Sequence, residues 1–190
     1  MSCDVISGFY GKIPARGDFV RHGLPRGFTD PWDTWLQSVM SGSQALMGDD
    51  WLPAFLEAPV WRLILPPSMC GSLAALGLML PSVDRAGRYF PLIFGALSPL
   101  CVDPGSAEAW LDSCEAAGLA AIERDSPPDE IAGMLASTEA LELIADQDTA
   151  LWWSHGSTHV QPARLTLHAL PDAETYALML GAPGQGRASA

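Results

Sequence analysis

Between residues 63 and 83 the chain carries no charged side chain, and this stretch limits the possible folds more than any other. It is long enough to cross a bilayer as a helix. However, Pro66-Pro67-Ser68 and Gly71-Ser72 would break that helix in its first half. Two strands joined by a turn explain the stretch better, and no transmembrane span is expected. The apolar runs at 60–65, 73–80 and 92–97 are each short and bounded by Pro, Gly or Ser, as buried strands are. The polar connection Pro81-Ser82-Val83-Asp84-Arg85-Ala86-Gly87-Arg88 between the second and third fits an antiparallel pairing.

Helices are expected around these strands. Asp30-Pro31 reads as an N-cap followed by proline at the first helical position. Trp32, Trp35, Leu36, Val39, Met40, Ser43 and Met47 then recur at helical spacing as one mainly apolar stripe. Asp49-Asp50 suits the cap of a second short helix ending before Pro59. After the break at Pro104-Gly105-Ser106, Ser106 is expected to cap a helix over 107–124, with Trp110, Cys114, Ala117 and Ala121 on its buried side. Ser126-Pro127-Pro128-Asp129 resembles another capped start, carrying a helix past Ile131 and Leu135. The runs at 5–10, 150–154, 164–170 and 176–180 read as further strands. This order predicts an α/β fold, a three-layer αβα sandwich whose sheet is mixed but largely antiparallel. A chain of 190 residues suits one domain, expected over 1–180, with a Gly, Ala, Pro and Ser-rich tail at 181–190 that frays.

Charge narrows the functional classes. With 48% hydrophobic and 17% charged residues the chain is too apolar for intrinsic disorder. Its net charge of −12 repels phosphate backbones and anionic lipid, so nucleic acid and membrane surfaces are poor partners. The charge is unevenly placed: residues 103–150 hold twelve Asp/Glu against Arg124 alone, whereas residues 5–29 hold Lys12, Arg16, Arg21 and Arg26 against Asp18. That asymmetry fits either a solvated helical face beside a basic loop or a dipolar surface that steers a charged partner.

Motifs for catalysis or cofactors are weak. Gly11-Lys12 lacks the upstream glycine of a phosphate loop, and Ile13 stands where a Mg²⁺-binding hydroxyl is needed. Arg16-Gly17-Asp18 has the simple physical content of a local salt bridge. His155 and His159 are four apart, but Gly156 and its flanking serines place them in a loop rather than on a metal-binding helix face. His22 and His168 are isolated. Cys3, Cys70, Cys101 and Cys114 lack CxxC or zinc spacing and read as buried thiols of a reducing compartment. With Asp4 near the start and no apolar segment after it, no secretory leader is expected. No cofactor or metal is expected. The constellation with chemical potential is Lys12, Arg16, Asp18, Asp84, Arg85 and Arg88. If their two loops converge they form either a pocket for phosphate or carboxylate, or an ion-pair network that pins the loops.

The same loops carry a family resemblance. Residues Gly8-Phe9-Tyr10-Gly11-Lys12-Ile13-Pro14-Ala15-Arg16-Gly17-Asp18-Phe19-Val20, then Gly23-Leu24-Pro25 and Pro31-Trp32-Asp33-Thr34-Trp35-Leu36, resemble the opening signature of the TagF (ImpM) family. Pro81-Ser82-Val83-Asp84-Arg85-Ala86-Gly87-Arg88-Tyr89-Phe90-Pro91-Leu92 resembles its central motif, and Trp152-Trp153 is a further point of likeness. These are accessory proteins of bacterial type VI secretion systems. The resemblance implies a three-layer αβα domain without catalytic residues. It further implies a cytoplasmic, post-translational repressor that engages the system's forkhead-associated scaffold protein. On this reading Lys12, Arg16, Asp18, Asp84, Arg85 and Arg88 form the partner-binding surface, and Trp32, Trp35 and Pro91 belong to the motif core. The competing expectation is a small phosphate-handling hydrolase built on Asp18 and Asp84.

Overall fold

In a computed structural model the chain is described over residues 5–145 and 147–182. The uncharged stretch forms β3 (Trp61–Leu65) and β4 (Ala74–Leu80), joined by the proline and glycine turn and paired antiparallel. With β1 (Ile6–Gly11), β2 (Val20–His22), β5 (Leu92–Ser98), β8 (Ala150–Ser154) and β9 (Ala163–Leu167) they make a seven-stranded sheet of order β2-β1-β5-β4-β3-β8-β9. Every pairing in it is antiparallel. A two-stranded pair, β6 (Cys101–Val102) with β7 (Leu143–Ile144), lies beside it.

Both faces of the sheet are covered, which is why β3, β4 and β5 read as nearly continuous apolar runs, with Arg62 the charged exception in β3. Alternation still sorts the side chains. Leu63, Leu65, Met79, Ile93 and Trp152 pack on one face with helices α1 (Arg26–Met47), α2 (Trp51–Leu56) and α5 (Ala173–Leu180). Ile64, Leu76, Leu78, Phe94 and Trp153 pack on the other with α3 (Pro104–Glu123) and α4 (Pro128–Met134). The result is the three-layer αβα sandwich. No helix among the described residues is long and apolar enough to cross a membrane.

Five local expectations are corrected. Helix α1 starts at Arg26 with Pro25 as N-cap, so Pro31 lies inside the helix rather than at its first position. Pro31 has no N–H for the carbonyl of Gly27; that carbonyl instead lies so close to Gly71 that a Cβ there would sit 2.5 Å from it. The cap of α3 is Asp103, whose Oδ2 accepts from the Ser106 amide at 3.0 Å, with Pro104 at the start of the helix. Asp49 and Asp50 form a 3-10 turn, Gly48–Asp50, and neither caps α2 with its side chain. Residues 176–180 are helical, the body of α5: Asp172 caps it by accepting from the Thr175 amide at 2.8 Å, and Gly181 ends it at φ 100°. Buried Tyr176, Met179 and Leu180 then cover the sheet. Strand β9 ends at Leu167, short of the expected 170. Cys3 and residues 183–190 of the expected tail lie outside the described residues.

Candidate functional site

The two motif loops meet because β1 and β5 are antiparallel neighbours, with Tyr10 opposite Ile93. The end of β1 and the start of β5 therefore lie at one edge of the molecule, and the loops 12–19 and 81–91 leave from there. Gly11 makes the approach possible: its φ is 143°, and a Cβ would sit 2.3 Å from the carbonyl oxygen of buried Pro91. The Gly11-Lys12 pair thus serves close backbone packing.

Asp84 organises the second loop. Its Oδ1 accepts from the amides of Ala86 and Arg88, each at 2.9 Å. Its Oδ2 takes Lys12 Nζ at 3.0 Å and Arg88 Nε at 2.7 Å. The tight turn is closed by Asp84 N to Arg88 O at 3.0 Å and Gly87 N to Asp84 O at 2.9 Å, with Gly87 at φ 79°. Asp84 is fully buried at its side chain and Lys12 is 8% exposed there. Burial by itself would raise the Asp84 carboxyl, but hydrogen bonds from the Arg88 and Ala86 amides and from Lys12 and Arg88 outweigh it. They hold the carboxyl well below the ordinary carboxylate range.

The loops are then stitched together. Ser82 Oγ donates to Lys12 O at 2.7 Å, Arg85 N donates to Arg16 O at 2.9 Å, and Arg88 Nη2 donates to Gly17 O. Phe19, 43% exposed, stacks on Tyr10 with ring centroids 5.5 Å apart and meets Phe90 edge-on at 4.8 Å. Lys12 Nζ lies 5.1 Å from its ring centre. Tyr10 is anchored in turn by donating to Asp33 Oδ1 at 2.8 Å.

The six charged residues therefore divide. Lys12, Asp84 and Arg88 form a network that fixes the loops. Arg16, Asp18 and Arg85 are exposed, and among the described residues their side chains form no ion pair, including the expected one between Arg16 and Asp18. A carboxylate offers about four acceptor positions, and all four on Asp84 are occupied. It has no lone pair left to act as a general base. Trp32 is buried between Phe28 and Trp152, while half-buried Trp35 donates from Nε1 to Pro171 O at 2.7 Å.

The other candidates stay apart. His155 and His159 lie in the loop after β8, and His159 Nε2 pairs with Glu57 Oε2 at 2.7 Å. His22 stacks on Phe9. Burial pushes the Cys70 thiol up to about 12 and the Cys114 thiol higher still, which keeps both protonated and unreactive.

One cluster was not anticipated. Arg62, 4% exposed on β3, faces α3 and is paired there with Glu108, with Asp112 at 2.7 Å and with Glu115 at 2.9 Å. A cleft of about 360 Å³ lies alongside, lined by Arg62, Asp112, Glu115, Leu119 and His155. Two signals could have exposed it: a single arginine inside an apolar strand needs a partner, and the spacing of Glu108, Asp112 and Glu115 puts them on one helix face.

Residues 8–138 match the family described as TagF N-terminal domain, type VI secretion system-associated. The crystal structure of PA0076 from Pseudomonas aeruginosa PAO1 superposes with a TM-score of 0.78 at 31% identity, over 94% of this chain and 96% of that one. No curated protein matches the chain.

Proposed function

This chain belongs to the TagF N-terminal domain family of type VI secretion system-associated proteins, and from that membership we propose that it is a non-catalytic regulator. It restrains the secretion system after translation, in the cytoplasm, by binding the forkhead-associated scaffold protein. The contact surface is the pair of loops that carries Arg16, Asp18, Arg85 and Arg88, supported from beneath by Lys12 and Asp84.

One observation carries this reading. The family motif builds a rigid display in which the buried carboxylate is fully engaged, while arginines and an aromatic ring stand exposed around it. Arginine and aromatic residues on an ordered surface are the usual anchors of protein recognition. A hydrolase built on Asp18 and Asp84 together would need both carboxylates available, and Asp84 is engaged at both oxygens.

The test is co-precipitation of the scaffold with the tagged full chain from its own cells, together with the amount of secretion-system substrate exported. Export is expected to fall when the chain is overproduced and to rise when it is deleted, with the scaffold recovered on the tagged chain. Recovery of no scaffold and unchanged export would sink the proposal.

A further inference from the structure

The chemistry of the loop surface says more than that it is exposed. The chain carries 22 Asp and Glu against 10 Lys and Arg, yet the six charged motif residues are four cations and two carboxylates. Lys12 and Arg88 share the single carboxylate Asp84, and Arg16 and Arg85 have no ionic partner among the described residues. Their backbones are fixed to each other by the bond from Arg85 N to Arg16 O at 2.9 Å. Two arginines without an ionic partner among the described residues thus sit on adjoining backbone of an acidic protein, in the loops that also carry the exposed ring of Phe19, itself clamped by Tyr10 and Phe90.

Resting on the reading of this chain as a binding module, we infer that the two-loop surface docks an acidic segment of a protein partner. Arg16 and Arg85 each take a carboxylate in their planar fork, and Phe19 takes a neighbouring apolar side chain.

Backbone accounting separates a carboxylate from a phosphate. One common kind of phosphate site is built from successive backbone N–H groups that converge on the anion. Here every amide from Asp84 to Arg88 is taken within the loops. Those of Asp84, Arg85 and Gly87 go to the carbonyls of Arg88, Arg16 and Asp84, and those of Ala86 and Arg88 go to Asp84 Oδ1. On the 84–88 loop what remains for a ligand is side-chain forks on separate positions, which suit separate single charges. The exposed carboxylate of Asp18 adds a penalty against a dianion. Nucleic acid is disfavoured by the net charge of −12.

The test uses the full chain and fluorescence anisotropy. The probes are a short labelled peptide of Asp and Glu with one central Leu, its Asn/Gln counterpart, and a version with phosphoserine replacing one Glu. The acidic peptide is expected to bind, more weakly as salt rises. Arg16→Glu with Arg85→Glu should weaken it about tenfold or more, which corresponds to about 1.4 kcal/mol. Arg164→Glu, at an exposed position on β9, should not. Thermal melting checks folding, and the Gln pair at the same positions serves if the Glu pair does not fold. Equal binding of the double variant, equal binding of the Asn/Gln peptide, or stronger binding of the phosphopeptide would each overturn the inference. Scaffold co-precipitation is run in parallel. Scaffold held equally by wild type and double variant removes the inference and leaves the regulator standing. Scaffold held by neither, with peptide discrimination intact, removes the regulator and leaves the surface.

Discussion

Asp84 contributes stability that depends on pH in a defined direction. Burial pulls its carboxyl up and the four bonds from Arg88, Ala86 and Lys12 pull it down, with the net result well below normal. An unfolded Asp protonates near about 3.9, so the contribution is fully present above that value. As pH falls below it, the unfolded chain takes up a proton that the folded one does not, and stability is lost until the native carboxyl itself protonates. Asp84→Asn keeps the shape but removes the charge between Lys12 and Arg88. We expect a lower urea midpoint at neutral pH, and a flatter decline than wild type as pH drops below about 4. Asp18→Asn, exposed and without an ion pair, should stay within about 0.5 kcal/mol of wild type. Equal midpoints for the two variants across the pH series would remove Asp84 from its structural role. Arg88 belongs with Asp84 and Arg16 does not, so loss of binding in an Arg88 variant has to be read against its stability.

At the scale of elements, the pairing of β3 with α3 through Arg62 is the polar link across the sheet's second core. Removing one side of a buried ion pair typically costs about 3–5 kcal/mol because the other charge is stranded. Glu108, Asp112 and Glu115 are 48%, 68% and 34% exposed at their side chains, so water can partly replace them. We therefore expect the triple variant Glu108→Gln, Asp112→Asn, Glu115→Gln to fall at or below the low end of that range, about 3 kcal/mol, in urea titration. Arg62→Met should cost less than the triple variant, since the carboxylates it leaves can turn to solvent. The opposite order would mean that packing, not charge, makes Arg62 matter. The elements themselves were unequally legible. Strands β3, β4, β5 and β8 announced themselves as short apolar runs between breakers. Helix α5 did not: Tyr-Ala-Leu-Met-Leu is too short and too apolar to show a period, and only the flanking Asp172 and Gly181 mark its ends. The start of α1 was hidden because proline fits the first helical turn so well that Pro31 masked the residues before it. The loops' convergence was readable as a possibility, but the split between the Asp84 network and the free arginines was not. That split depends on turn geometry, which places the amides of Ala86 and Arg88 on one carboxylate.

At the scale of the whole molecule, the family match ends at residue 138 while the sheet does not. Strand β8 pairs with β3 through Arg62–Trp153, Leu63–Trp152 and Ile64–Leu151, and β9 continues from β8. Helix α5 lies over the same core as α1: Trp61 Nε1 donates to Met179 O at 3.1 Å, and Trp35 Nε1 to Pro171 O. Trp152, Tyr176, Met179 and Leu180 are each at least 95% buried. Burying a large apolar side chain contributes about 1.5–3 kcal/mol, so these four alone supply about 6–12 kcal/mol. A folded domain holds a net stability of about 5–15 kcal/mol, so their loss removes most or all of it. We propose on this ground that residues 5–182 fold as one unit, and we expect a fragment ending at residue 138 to lose its cooperative thermal transition. It would also present the bare edge of β3 for aggregation. The full chain should melt in a single step, with tryptophan fluorescence and far-ultraviolet circular dichroism coinciding. A fragment that melts cooperatively near the full chain's midpoint would show the last two strands and α5 to be an appendage. The loop surface would then belong to a smaller self-sufficient module, and binding by the fragment would match that of the whole.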